Sequence, residues 1–421
     1  MMNLLKKSTP WMVASLFVAT AAFGQNKGCG APCPKPCAPK CEKPCPPKCA
    51  PACPKSCAPK CVKPCPPPCP QPCPPTQICP PACPDPCCPP WPVPVLNAAY
   101  NYPARTQVRC PWDVYFDASF LYWQPIQENM DFAFVEDTAS LLPGDVLRGH
   151  FVDMHFKYKP GFKVGLGMNF DYDSWDAGVV YTWFHSTHHK QFSVNPATQA
   201  ILATIGHPAT FVGTTFEEAS EHWHLKMDFV DVDLGRTGYV GTKLTMRPFF
   251  GARGAWIRQK LNADYTTTVA THHTSHLSST SWAVGPRAGM NTNFVLGEGF
   301  RLYGNGAVDV LYTRYTKLRE HSEFVLASGV VSENVQFSEK KLGLLRNHLE
   351  LEMGLGWGTY WDCNNWYTDI ALGYGFQVFQ DQNMFRHFST SGTVVSTSAT
   401  SFVPNGSLYV HGLTATFRLD F

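Results

Sequence analysis

Cysteines at a fixed spacing open the question of what this chain does. Cys29, Cys33, Cys37, Cys41, Cys45, Cys49, Cys53, Cys57, Cys61, Cys65, Cys69 and Cys73 recur at every fourth position, and Cys79, Cys83, Cys87 and Cys88 follow. Sixteen of the 18 cysteines thus precede residue 90. The same stretch holds 26 of the 37 prolines, between Pro32 and Pro94. Proline fixes φ and removes backbone donors, so the expected path is polyproline II, rising about 3.1 Å per residue with three residues per turn. A period of four then turns each thiol by about 120° from the last and sets neighbours about 12 Å apart. That is too far for a disulfide without a local turn, which favours bonds to other chains. Zinc or copper(I) would be the rival use of clustered thiols, but known zinc spacings sit on a folded turn that proline opposes. The reading is therefore disulfide cross-linking, with no metal. Seven lysines from Lys35 to Lys63, against Glu42 and Asp85, add a field that attracts acidic partners.

A second set is charged. Lys163, Arg247, Arg253, Arg287 and Arg301 fall at the polar phase of alternating segments, as do Asp117, Asp171, Asp309, Glu350, Glu352 and Asp369. Facing a barrel interior, they would either pair into ladders that fill the lumen or set a transverse field that sorts solutes. A third set is histidine: His185, His188, His189, His222, His224, His272, His273 and His276 lie near expected strand ends. Loop histidines are most often solvated polar residues, and no G-x-S-x-G, H-E-x-x-H or Walker loop accompanies them. The expectation is no catalytic residue, no enzyme and no cofactor.

These residues need elements to position them. Residues 1–24 read as a signal peptide, with Lys6 and Lys7, an apolar core from Trp11 to Phe23, and a small-x-small site before Gln25. Export leads to an oxidising compartment. Residues 25–109 form the Cys/Pro-rich segment, and 110–421 change to strict alternation. Phe162, Val164, Leu166, Met168 and Phe170 alternate with Lys163, Gly165, Gly167 and Asn169; Leu349 to Trp357 and Ile370 to Val378 repeat the pattern. A strand puts each set on one face. Ten strands follow: about 112–124, 151–172, 176–186, 223–235, 243–261, 282–295, 300–315, 342–360, 367–380 and 407–421, with twelve as the alternative count. Long connections (125–150, 187–222, 262–281, 316–341, 381–406) alternate with short ones, as in an outer-membrane barrel. Tyr122, Trp123, Trp175, Tyr181, Trp183, Trp223, Tyr360, Trp361, Trp366 and Tyr367 would form its aromatic girdles. The expected class is an all-β, antiparallel up-and-down transmembrane barrel.

The chain ends on Leu413, Ala415, Phe417, Leu419 and Phe421, an amphipathic strand with a terminal phenylalanine that looks like the assembly signal of outer-membrane barrels. "PGFKVGLGMNFDYDSWDAGVVYTWFH", "MDFVDVDLGRTGYVGTKLTMRPFFGARGAWIRQKL" and "YGNGAVDVLYTRY" resemble the major outer-membrane porins of Legionella and the chlamydia-like bacteria. The resemblance covers roughly 112–421. It implies a pore-forming barrel passing ions and small solutes, abundant in the outer membrane and disulfide-linked in some relatives. The expected partners are membrane lipid, small solutes, other cysteine-rich envelope proteins and further copies of the chain, a homo-oligomer being left open. The alternative is a plugged structural or adhesive barrel. A net charge of +2 argues against nucleic acid. Both barrel ends, and the Cys/Pro segment with them, are expected in the periplasm.

Overall fold

The computed structural model describes residues 113–421 except 138–147, 171–173, 208–209, 211–213, 394–395 and 404, and before them only 102–103, 106 and 108. The expected signal peptide, the sixteen cysteines of the repeat, Cys110 and Asp171 lie outside the described residues. Ten strands close into a barrel: β1 Val114–Gln127, β2 Lys159–Asn169, β3 Trp175–Ser193, β4 Glu218–Arg236, β5 Leu244–Thr266, β6 His272–Gly297, β7 Phe300–Val325, β8 Leu342–Trp361, β9 Trp366–Phe379 and β10 Leu408–Asp420. Each pairs antiparallel with the next in sequence, and β10 pairs with β1 to shut the ring. The seam runs from Leu408 opposite Gln127 to Asp420 opposite Tyr115. Beyond it Val114 N–H reaches Phe421 O at 3.3 Å, and Phe421 N–H reaches Val114 O at 3.1 Å. The Phe421 ring packs on Trp366, 5.7 Å between centroids. Closure leaves the ring of ten strands without an unpaired edge, which a chain in lipid requires.

Period-2 alternation places the expected apolar sets outward. Leu166, Val308, Leu351, Met353 and Ile370 are exposed, as a wall facing lipid must be. Not all of the expected girdle residues belong there: Trp123 and Trp223 point inward and are buried, and Tyr367 turns inward toward Asp369, because their phase is that of the lumen. The long connections are also corrected. β5 and β6 run on to Thr266 and from His272, so only five residues turn where 262–281 had been expected as a loop, and β7 continues to Val325. β3 and β4 likewise extend to Ser193 and from Glu218. These extensions carry polar residues outward, such as Asn262, Ser278 and Thr280, so they lack the lipid-facing signature by which the strands were read.

The remaining connections fold back on the barrel. Asp131–Asp137, Gly149–Asp153 and Gln199–Ala203 make a three-stranded sheet of their own, with Asp131–Asp137 in the middle. Phe132, Val135, Ile201, Ile205 and Phe216 from these segments are fully buried and share one apolar cluster with Leu121, Trp123, Phe184, Trp223, Leu225, Met227, Phe229, Ile257 and Leu261 of the inner wall. The plug is held by chemistry as well as area: Tyr265 O–H donates to Phe132 O, and Phe156 meets Trp223 edge-on at 5.5 Å.

Candidate functional site: the barrel lumen

The lumen has two layers of opposite character. At the short-turn end and through the apolar belt, the inner wall is charged. Arg253 of β5 lies in a nest of acids: its Nε is 2.5 Å from Asp231 Oδ1, Nη2 is 2.9 Å from Glu350 Oε2, and Nη1 is 3.1 Å from Asp309 Oδ2. Arg287 donates to Asp309 at 3.2 Å and to Glu350 at 2.9 Å, with Asp233 at 3.8 Å. Lys163, from the far wall, reaches Glu350 at 3.4 Å. His348 Nδ1 is 2.5 Å from Asp309 and 2.8 Å from Arg253 Nη1. These contacts cross the barrel as chords. The Arg253 side chain is 3% exposed and those of Asp309 and His348 are 0%, so these three lie buried within the network.

Nearer the short turns Arg247 donates to Asp176, and Nη1 to Asn291 at 3.0 Å. Arg301 grips Asp369, Tyr303 O–H donates to Glu352 at 2.9 Å, and Arg418 holds Asp420 at 2.8 Å. Asp117 stands opposite Arg418 in the seam register. Glycine makes this possible. A Cβ on Gly235 would lie 2.6 Å from the Arg247 guanidinium, and one on Gly356 equally close to that of Arg301. The glycines of the inner faces are the beds on which long charged side chains lie flat.

Of the eleven expected lumen residues Asp171 lies outside the described residues; the other ten face inward, and the structure brings Lys163, Arg253, Arg287, Asp309 and Glu350 into one network. Arg247, Arg301, Asp117, Glu352 and Asp369 form separate pairs below it. Asp176, Asp231, Asp233, His348, Arg418 and Asp420 were missed. Their signal was present: Asp231 and Asp233 alternate with Val230 and Val232, as Arg418 and Asp420 do with Phe417 and Leu419. Which acid meets which base is set by chords no single strand encodes.

Above this network the inside becomes apolar. Phe229 stacks on Phe379 at 5.3 Å and also carries Arg253 over its face at 5.4 Å, so the two layers meet there. Outside the membrane-spanning part, burial drives the pKa of His188 and of His273 down to about 4, leaving both neutral at ordinary pH. Burial likewise pushes the Glu221 carboxyl well up, and both its oxygens lack a partner among the described residues. Both polar atoms of Gln259, the Trp223 indole N–H and Glu320 Oε1 are also unpartnered there. His188 and His189 face opposite sides of the wall: His188 is buried against Trp223, whereas His189 stacks on His222 outside, 3.9 Å apart. They do not form one site. Among the described residues no three His, Cys, Asp or Glu side chains converge as a metal site. Cys363, exposed and unpaired, sits in the turn between β8 and β9.

A family model described as the Legionella pneumophila major outer membrane protein precursor matches residues 106–414. The chain belongs to that family. It is an outer-membrane barrel. Among solved structures, the outer membrane protease OmpT of Escherichia coli is similar at 9% identity and TM-score 0.34, covering 74% of this chain and 97% of that one. The toluene transporter TodX of P. putida is similar at 10% identity and TM-score 0.29, covering 74% and 91%. The Ralstonia pickettii toluene transporter TbuX follows at 10% and 0.26, covering 73% and 89%. No curated protein matches the chain.

Proposed function

We propose that this member of the major outer membrane protein family is a porin that passes ions and small solutes by passive diffusion, and that it is shut in the conformation described. One observation carries the reading: the inner wall is charged through the whole membrane-spanning half, while the apolar seal above it includes connections, not only wall. A barrel needing only to be filled would use apolar side chains inside, as its own upper half does. The plug strands Asp131–Asp137, Gly149–Asp153 and Gln199–Ala203 pair with one another and with no barrel strand, so their withdrawal parts no pair of barrel strands. Their withdrawal also offers water to Glu221, Gln259 and Trp223, each unpartnered polar atom costing about 1–3 kcal/mol while buried. Once wet, the Arg253 network is a charged constriction that sorts solutes.

A second reading is a purely structural barrel, favoured by the full burial of Asp309 and His348. Conductance in planar bilayers separates the two. The purified protein is expected to give discrete current steps with a low open fraction. Phe132→Ala with Ile201→Ala, which thins the plug, is expected to raise that fraction by on the order of tenfold. Folded protein that passes no current in either form would leave the structural reading.

The cysteine repeat fits the same envelope role. Residues 29–88, extending up to about 180 Å as polyproline II, would act as a periplasmic arm that ties barrels to each other or to other cysteine-rich proteins. Non-reducing electrophoresis is expected to show large complexes that dithiothreitol dissolves and deletion of 29–88 abolishes. Monomers under oxidising conditions, holding stoichiometric metal, would refute the arm.

A further inference from the structure

The outer wall carries a feature that neither the lumen nor the plug uses. Strand register lays the outward residues of β3 to β7 out as rungs. The lowest is apolar, with Tyr181 beside Val230 and Val284 beside Tyr312. The next is aromatic: Trp183 lies beside Asp228, Asp228 beside Trp256, Trp256 beside Trp282, and Trp282 beside Arg314. The two rungs above are cationic. Lys226 stands beside Arg258, Arg258 beside Thr280 and Thr280 beside Lys317; then His224 stands beside Lys260, Lys260 beside Ser278 and Ser278 beside Arg319.

Six strong cations, Lys226, Arg258, Lys260, Arg314, Lys317 and Arg319, therefore share one face. None makes an ion pair or side-chain hydrogen bond among the described residues. The acids nearby are engaged elsewhere: Asp228 accepts from Tyr181 O–H at 2.9 Å and faces His185 at 3.4 Å, while Glu339 is held by Arg386 at 2.6 Å. The patch is also one-sided. β1 and β9 contain no Lys or Arg, and Arg418, the only one in β10, points inward onto Asp420. It coincides with the tall side of the barrel, where β5, β6 and β7 run 23, 26 and 26 residues against 14 in β1 and β9. About 9–11 residues cross a bilayer, so the tall strands stand well clear of it.

We propose that this face binds the phosphate groups of the surrounding membrane lipid. Strands about 4.8 Å apart, with same-face residues about 6.6 Å apart along each, put Lys226, Arg258 and Lys260 within reach of one phosphate. Arg258 supplies a planar fork that matches two phosphate oxygens, and the lysines add point charge. Lys317 and Arg319 form a second such pair two strands on. The acyl chains of the same lipid descend over Trp256, Trp282 and Tyr312. The direct passage from cation to aromatic to aliphatic surface selects this occupant over a soluble polyanion, which would leave the lower rungs unused.

The test uses the full-length folded protein in bilayers and the fluorescence of its wall tryptophans. Brominated phosphatidic acid is expected to quench with a relative association constant on the order of tenfold above brominated phosphatidylcholine. Replacing Lys226, Arg258, Lys260, Lys317 and Arg319 together by Gln is expected to bring the ratio near one, with heat-modifiable mobility unchanged. Where the fivefold variant does not fold, Lys226→Gln with Lys260→Gln, and separately Lys317→Gln with Arg319→Gln, are each expected to lower the ratio severalfold. A wild-type ratio near one, or a ratio the variants leave untouched, overturns the proposal. So does loss of the preference on adding inorganic phosphate or heparin at matched ionic strength, which would assign the face to a soluble anion.

Discussion

Two halves of one wall obey opposite rules. Below the tryptophan rung, β5 shows Phe250 and Trp256 to lipid and keeps Arg247 and Arg253 inside; above it the same strand shows Arg258 and Lys260 outward and buries Ile257, Leu261 and Tyr265. The pleat does not change phase. What changes is the parity of the apolar set, at the adjacent pair Trp256–Ile257. β7 switches in the same way between Val310 and Leu311, and β4 between Phe229 and Val230. The lower half is a membrane barrel with a polar inside; the upper half is built like a soluble barrel with an apolar core. Solvent outside the wall, not strand geometry, decides which residue type each face carries.

The largest expected break in this comparison comes from the lower lumen. Arg253→Met strips Asp231 of its cation and leaves Asp309 and Glu350 with Arg287 as their only arginine, and removal of one partner from such a network costs about 3–5 kcal/mol. A shifted urea midpoint, read from the heat-modifiable band, measures it. Next comes the lower outer face: Val308→Lys places a charge toward lipid and is expected to cost about 2–4 kcal/mol, read from the same midpoint in vesicles. A cost near zero would mean that the apolar belt does not extend to that rung.

A pH effect tests the upper core. Burial raises the Glu320 carboxyl to about 8, with Arg386 opposing. A folded-state pKa above the ordinary 4.5 means that the protonated form is favoured on folding. Its stability contribution is whole below that ordinary value and is lost as pH rises through about 8. The upper half is therefore expected to exchange amide hydrogens faster at pH 9 than at pH 6, beyond the intrinsic rise, and Glu320→Gln should remove that excess. The smallest effect belongs to the upper outer face, where Ser278→Val or His189→Ala is expected to stay within about 0.5 kcal/mol. Chemical unfolding of each variant checks it. A large loss at either site would show that another protein surface covers that height of the wall.

How much of this was legible follows from the same division. The ten strands and their order were readable, because period 2 survives wherever lipid demands an apolar face. The lumen residues were readable by phase but not by partner. Trp123 and Trp223 were misplaced because aromatic type was read without phase. The upper half was read largely as loop: once lipid is absent, polar residues such as Asn262 and Thr280 occupy the outer positions, and the inner apolar set, Leu261 or Leu277, looks like a new strand out of register. The plug was invisible for a further reason. Phe132 meets Tyr265 across more than a hundred residues, and nothing local announces that contact.

The seam between β1 and β10 has a consequence for time. Its pairs join residues such as Ser119 and Thr416, 297 positions apart, while every other seam of the ring joins neighbours in sequence. Nine interfaces can form as the chain is delivered, but the tenth waits for the last strand. Until then the sheet carries two raw edges, each as ready to pair with a second copy as with its proper mate. The slowest and most hazardous event in the life of this protein is thus fixed by connectivity: its first strand must be kept from other partners until its final residues arrive.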